Sequence, residues 1–384
     1  MILWFIITAV PLTFLALYGL IKSSFVKPVY DLKSGPFPFV EILIPIKGIF
    51  PDQKTVLEGF LNQDYPDYRV AFLIEDDRDP AAGLLQELAM QYDNCTIVVS
   101  GIATDCAQKN FNLVAGLKQL QRKTEIVIFC DSTNEPDTNW LARFTYHLRH
   151  GKAQAVTTFR QFRPNPETIG GVSQAIYGSF VLTLVLLNPK PWGGGTAIRR
   201  EILDRLNVAE VWSQTVVDDL VLGNLLERNK IGIYMDSASM LVSPLRNQTV
   251  GGFLAYLDRQ ILFPKFTNPG IWCATLLIHL NLTVAIVVST AVLLLSFAGL
   301  CSFTSGLASA IFMMGVSLIG FLLWRFSSSS ISLKAWMVAF LPCIFLSAGV
   351  FLRSIFRNYI DWHGRRYYPG KGGRVLRISV IDPS

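Results

Sequence analysis

Between residues 38 and 252, short apolar runs alternate with longer stretches that are apolar along one side only. Phe39–Pro45, Arg69–Ile74, Thr96–Val99, Glu125–Cys130 and Ala155–Phe159 read as strands, most of them with no polar face. Lys54–Leu61, Ala81–Tyr92 and Lys109–Leu120 read as the helices between them. In the last, Phe111, Val114, Leu117 and Leu120 fall on one side, and Pro80 suits the first turn of Ala81–Tyr92. Buried strands alternating with helices predict an α/β domain with a mainly parallel, Rossmann-like sheet.

Outside that stretch the pattern changes. Met1–Ile21 is almost free of charge, and Ile271–Leu300, Phe303–Leu323 and Ile331–Phe351 each reach the roughly 20 residues that span a bilayer. The expected organisation is a transmembrane anchor at 1–22, the α/β domain at 38–252, and an interfacial amphipathic region at 253–269. About three transmembrane segments follow at 271–352, then a basic tail at 353–384. Composition agrees: 51% of residues are hydrophobic and 16% charged, against roughly 25% charged in soluble domains. The first segment has no basic region before it and no Ala-x-Ala-like site after it, so it reads as an anchor rather than a cleaved signal.

Lys22, Lys27 and Lys33 directly follow the anchor, which predicts a multi-pass protein with its α/β domain in the cytoplasm. Three further crossings would carry Arg353, Arg357, Arg365, Arg366, Lys371, Arg374 and Arg377 to the far side, against the same charge rule. Either one segment lies in the interface or re-enters, or the rule fails. The net charge of +6 gathers near the membrane flanks, which fits anionic headgroups better than nucleic acid. Six cysteines form no Cys-x-x-Cys, and nothing implies a disulfide, a zinc site or a partner protein.

Carboxylates recur just beyond apolar runs. Val70–Ile74 leads into Glu75-Asp76-Asp77, Ile126–Cys130 into Asp131, and Val216-Val217 into Asp218-Asp219. In open α/β sheets, ligands bind at the carboxyl ends of the strands. A carboxylate at the end of so apolar a strand as the one before Asp131 is costly unless solvated, hydrogen-bonded or bound to a cation. Mg²⁺ or Mn²⁺ takes such hard oxygens, often one or two carboxylates plus phosphate oxygens. Asp218-Asp219 carries two readings of equal weight: a helix cap, or a general base that takes a proton from an acceptor hydroxyl. Gly193-Gly194-Gly195-Thr196 could be a flexible turn, or could let backbone amides approach an anion.

Taken in order, several pieces resemble a family-2-like, GT-A-fold nucleotide-sugar glycosyltransferase, and more closely the ceramide glucosyltransferase group. They are Ile44-Pro45-Ile46-Lys47-Gly48, Asp64-Tyr65-Pro66, Glu75-Asp76 with Asp79-Pro80, Lys109 with Asn112-Leu113, and Cys130-Asp131-Ser132 with Pro136-Asp137. Gly194-Gly195-Thr196 with Arg199-Arg200, Asp218-Asp219 and the tail Trp362–Tyr367 complete the series, from about residue 38 to 377.

The resemblance implies Asp76 on the nucleotide base or ribose, Lys109 near its phosphates, Asp131 on a divalent metal, and Asp219 as base with Asp218 beside it. It also implies donor contacts from Gly194, Gly195 and Thr196. The family's Gln/Arg-x-x-Arg-Trp motif falls on Tyr256-Leu257-Asp258-Arg259-Gln260, where Arg259 matches and Gln260 replaces the Trp. Arg259 would stabilise the leaving group, with Gln260 as a substrate contact. One base and no covalent nucleophile imply inversion at the anomeric carbon. The expected activity moves a sugar, glucose first, from a UDP-sugar to a membrane lipid hydroxyl, with ceramide the first acceptor considered. The alternatives are a polysaccharide or other glycolipid synthase of the same fold, and a catalytically silent nucleotide-sugar-binding membrane protein.

Overall fold

The structure, a computed structural model, describes residues 30–327 and 331–381. The expected anchor at 1–22 lies outside the described residues. In chain order the first nine strands are β1 (Val40–Pro45), β2 (Tyr68–Ile74), β3 (Cys95–Val99), β4 (Ile126–Cys130), β5 (Ala155–Thr157), β6 (Arg160–Asn165), β7 (Gly195–Arg199), β8 (Ile233–Met235) and β9 (Leu241–Arg246). Seven form one sheet in the order β3-β2-β1-β4-β7-β5-β8. Every pairing in it is parallel except those of β7, which runs antiparallel to both β4 and β5.

This is the mainly parallel α/β layer expected of a GT-A domain. Helices Gln53–Leu61, Ala82–Gln91 and Gln108–Lys118 match the three expected from periodicity to within two residues at each end. Strands β1, β2 and β4 are buried along nearly their whole length, which is why they read as unbroken apolar runs. The exception is Glu41 in β1, fully buried, which accepts from Arg69 Nε at 2.9 Å and from the Gln121 amide at 2.6 Å. A buried charge persists where it is paired in this way.

Of the described residues, 30–160, 188–244 and 359–381 form this compact α/β unit, and 161–187, 245–327 and 331–358 form a second, helical one. The tail from residue 359 therefore folds with the α/β unit. Rather than a loose basic segment, it is a three-stranded antiparallel sheet of β10 (Ile360–Trp362), β11 (Arg365–Pro369) and β12 (Val375–Val380). Trp362 pairs with Arg365 across a two-residue turn in which His363 has φ 48° and Gly364 φ 76°. Two successive positive φ values make the hairpin turn whose twist matches its strands, and glycine at the second position keeps the strain low.

The helical unit contains Ile169–Leu187, Val250–Thr267, Pro269–Phe297, Phe303–Ser327 and Leu333–Phe356. Four helical stretches are long and apolar enough to cross a membrane: Ile169–Leu187, Pro269–Phe297, Phe303–Arg325 and Leu333–Phe356. The last three coincide with the expected spans. The first was not anticipated, because Gly170, Gly171, Ser173, Gln174, Gly178, Ser179 and Thr183 dilute its hydropathy to 1.6, against 2.1–2.2 for the others. Such small residues are what closely packed membrane helices use.

In the same unit, Lys265 donates to the carbonyls of Ser354 (2.7 Å), Ile355 (3.1 Å) and Arg357 (2.8 Å), capping helix Leu333–Phe356. Asp258 accepts from Arg353 and from Arg357, the latter at 3.0 Å. These contacts fix the register of helix Val250–Thr267, which carries Arg259 and Gln260.

Candidate active site

Parallel strands β2, β1 and β4 end on the same edge of the sheet. Asp131 follows β4 there, and Asp76 follows β2 two strands away, about 10 Å at the usual strand spacing. Lys109, in the first turn of helix Gln108–Lys118, reaches the same edge. Its Nζ donates to Asp131 Oδ1 at 3.1 Å and to the Gly193 carbonyl at 3.3 Å, and lies 3.3 Å from Asp218 Oδ2. Arg160 Nη1 stands 3.7 Å from the other Asp131 oxygen, with its guanidinium over the Trp192 ring. Burial works against charge on both Lys109 and Asp131. The carboxylates outweigh it on Lys109 and raise its pKa, while Lys109 and Arg160 outweigh it on Asp131 and lower its pKa.

Asp218 occupies the cap position of helix Asp219–Arg228 but makes no side-chain capping bond. Its carboxylate turns to Lys109 instead. Asp219 accepts from the Gly193 amide at 3.0 Å and from its neighbour Leu220 at 2.7 Å. Burial first, and then the adjacent Asp218 charge, push its pKa above the ordinary carboxylate range, against the pull of Lys109 and the two amides. A carboxyl tuned upward in this way takes up and releases protons near neutral pH.

The glycine triplet permits this convergence. A methyl on Gly193 would sit 2.5 Å from Asp218 Oδ2 and 2.8 Å from Lys109 Nζ. On Gly194 it would sit 2.3 Å from the Trp192 ring and 2.6 Å from Asp131 Oδ2. The loop is held by its own polar groups: the Gly194 carbonyl accepts from Cys130 Sγ (3.1 Å) and Asn134 Nδ2 (2.9 Å), and the Thr196 hydroxyl donates to the Trp192 carbonyl at 2.9 Å.

The model of glycosyl transferase family 21 matches residues 4–375. The chain belongs to that family. A curated ceramide glucosyltransferase from Komagataella phaffii is 38% identical over 53 residues, which are 14% of this chain and 10% of that protein. The match thus spans about a tenth of that relative's length. Two solved structures are also similar. One is a mannosyltransferase from Pyrobaculum calidifontis in complex with GDP-Man and Mn²⁺, with TM-score 0.48 and 15% identity over 91% of this chain and 99% of that one. The other is a 4-diphosphocytidyl-2C-methyl-D-erythritol synthase from Anaerococcus prevotii, with TM-score 0.37 and 14% identity over 58% of this chain and 100% of that one.

In this family 21 glycosyltransferase, Asp131, Lys109, Asp218, Asp219, Gly193, Gly194 and Gly195 come together. Asp76 stands at the end of β2, two strands away, hydrogen-bonded by Arg78 through Nε at 3.0 and 3.1 Å, which holds its pKa down to about 2. Thr196 is buried, and the hydrogen bonds of its hydroxyl stay within the loop and its strand neighbour Thr157. Arg259 and Gln260 lie in the helical unit, where Arg259 Nη1 donates to the Ala255 carbonyl at 3.2 Å. Arg160, Trp192 and Asn134 were not singled out from sequence; only Trp192, directly before the triplet, carried a local signal.

Gly194→Ala in the transferase is expected to cut donor turnover by about 10²-fold, since a displacement of the order of 1 Å at a reacting site costs that much. Initial rates of nucleotide release measure it. A rate within twofold of wild type would mean that the close packing of Trp192 and Asp131 is not needed.

Proposed function

We propose that the protein is an inverting glycosyltransferase that moves a sugar, glucose first, from a UDP-sugar to a membrane lipid hydroxyl, with ceramide the first acceptor to test. The observation that carries this is the convergence of Asp131 and Asp218 on Lys109, with Asp219 on the Gly193 amide beside them, at the carboxyl edge of a mainly parallel sheet, in a family 21 chain with membrane-length helices. Asp76 contacts the nucleotide, and the glycine loop lies along the donor. Lys109 and Arg160 oppose the negative charge that grows on the leaving diphosphate. Asp219 takes the acceptor's hydroxyl proton as that oxygen bonds to the anomeric carbon and the carbon–diphosphate bond breaks. A single displacement of this kind inverts the anomeric centre. Arg259 and Gln260 are assigned donor or acceptor contacts by the family resemblance alone.

A divalent cation fits the chemistry of Asp131, a hard oxygen donor at a strand end whose side chain is 28% exposed. Among the described residues, no group of three or more His, Cys, Asp and Glu side chains is placed to hold a metal. Asp131 would therefore hold Mg²⁺ or Mn²⁺ together with phosphate oxygens, as Mg²⁺ commonly binds. The ion would add positive charge at the diphosphate.

The catalytic unit faces the cytoplasm in this reading. Because β10–β12 fold with the α/β unit, Pro269–Phe356 makes an even number of full crossings in this reading, and Ile169–Leu187, joined at both ends to the α/β unit, makes none. One of the three apolar helices of Pro269–Phe356 then re-enters or lies in the interface.

The test is UDP release by purified protein given UDP-glucose, with ceramide or diacylglycerol in mixed micelles and with or without EDTA. Lipid-dependent release with a matching hexosyl-lipid by mass spectrometry is expected. Release without a glycosylated lipid would overturn the acceptor, and no release with any nucleotide sugar would favour the silent alternative.

A further inference from the structure

The tail motif Trp362–Tyr367 has no task in the chemistry above, yet the hairpin it forms meets three of the segments that carry the site. Arg365 Nη2 donates to Glu75 Oε1 at 2.6 Å, and its Nη1 donates to Gln108 Oε1. Both members of the ion pair are largely buried, with side chains 15% and 11% exposed. Glu75 immediately precedes Asp76, and Gln108 immediately precedes Lys109. The Gln108 amide donates to the hydroxyl of Tyr367, itself 1% exposed. The third segment is the run into Asp218-Asp219. The Val216 amide donates to the Gly373 carbonyl at 2.9 Å, and the Val375 amide to the Gln214 carbonyl at 2.8 Å. Between them, the Thr215 carbonyl accepts from the Ala107 amide and from Asn110 Nδ2, both at 3.0 Å.

We propose that the C-terminal hairpin is a wall of the catalytic site and that Arg365 is its positioning residue. Arg365 holds Glu75 and Gln108, and through them Asp76 and Lys109, while the strand-like contacts of residues 373–375 hold the segment that presents Asp218 and Asp219. The physical basis is a mostly buried charge that ties together segments 290 residues apart in the chain. Such a pair is costly to break on one side only; Lys47 Nζ, 3.4 Å from the other Glu75 oxygen but 43% exposed, compensates Glu75 only in part. The inference rests on the glycosyltransferase reading for its kinetic readout but not for its structural one.

The test uses full-length protein in detergent with UDP-glucose as donor. Arg365→Gln is expected to lower kcat/KM by about tenfold or more through misplacement of the reacting groups, and Arg365→Lys to recover part of it. Arg366→Gln is the control, since Arg366 is directed away from the site: it pairs with Asp361 at 2.7 and 3.1 Å, and its guanidinium lies over the Tyr359 ring; it is expected to stay near wild type. In Arg365→Gln/Glu75→Gln the carboxylate left with only the exposed Lys47 is gone, so the melting temperature is expected to return while turnover does not. If turnover returns with it, Arg365 is merely structural and the proposal falls. Hydrogen–deuterium exchange gives the independent arm: Arg365→Gln, but not Arg366→Gln, is expected to expose amides of 105–110 and 213–219. Unchanged exchange there overturns the proposal, even if the wild-type protein turns over no nucleotide sugar and the functional reading fails by itself.

Discussion

Asp219→Asn is expected to lower sugar transfer by about 10²–10⁴-fold, the range a positioned general base contributes, while the protein still folds and binds UDP. The substitution keeps the shape of the side chain but removes its ability to take a proton. It also removes one of the two acceptors that receive the Gly193 and Leu220 amides, so a modest loss of stability accompanies it. The pH dependence is the sharper test. Burial and the Asp218 charge raise the pKa of Asp219 in the folded state, so the native protein binds this proton more tightly than the unfolded chain. Stability from this group is therefore fullest below the ordinary carboxylate range and is lost as pH rises through the raised value. Activity runs the other way, because the base form appears over that same interval. The acid limb of kcat/KM should then lie above the ordinary carboxylate range, and Asp218→Asn should move it to lower pH by removing one of the two causes. A limb that stays put in Asp218→Asn, or a full rate in Asp219→Asn, would assign the proton to another group.

Much of this arrangement was legible in the sequence, for identifiable reasons. Strands buried on both faces write themselves as apolar runs, so β1, β2 and β4 and the acids after β2 and β4 stand out without any contact being known. Asp218-Asp219 was ambiguous because a cap and a base look alike in one dimension. The structure shows Asp218 making no capping bond and turned toward Lys109, 3.3 Å away. Helix Ile169–Leu187 was missed because its small and polar residues lower the mean hydropathy that marks a span. The tail hairpin was missed for another reason. Its arginines read as a membrane-flanking charge cluster, whereas Arg365 and Arg366 are spent on Glu75 and Asp361. The turn pair His363-Gly364 between the short aromatic-containing runs Tyr359–Trp362 and Arg365–Tyr368 was the available sign. Arg160 had none, since an arginine at a strand start means little until Asp131 is found beside it.

Lys109→Met is expected to have the second large effect, on donor binding and turnover together. Methionine keeps most of the length and apolar stem of the lysine, so the change isolates the charge. Without it, Asp131 and Asp218 lose their shared cation, and Arg160, 3.7 Å from one Asp131 oxygen, is left as the nearest recorded counter-charge. Breaking one side of a buried ion pair costs about 3–5 kcal/mol, which should appear as a lowered melting temperature. Removing a preorganised charge from the leaving-group side should lower kcat by about 10²–10³-fold, with a raised KM for the donor. Lys109→Arg should not rescue the rate. The space around Nζ is already tight, since a methyl on Gly193 would lie 2.8 Å from it, and a planar guanidinium is not a compact point charge. Two measurements decide the matter: steady-state kinetics with UDP-glucose, and UDP affinity by calorimetry. Loss of melting temperature with unchanged kcat and KM would make Lys109 a structural counter-ion for the acids; loss of both parameters makes it the group that couples the acidic cluster to the donor's phosphates.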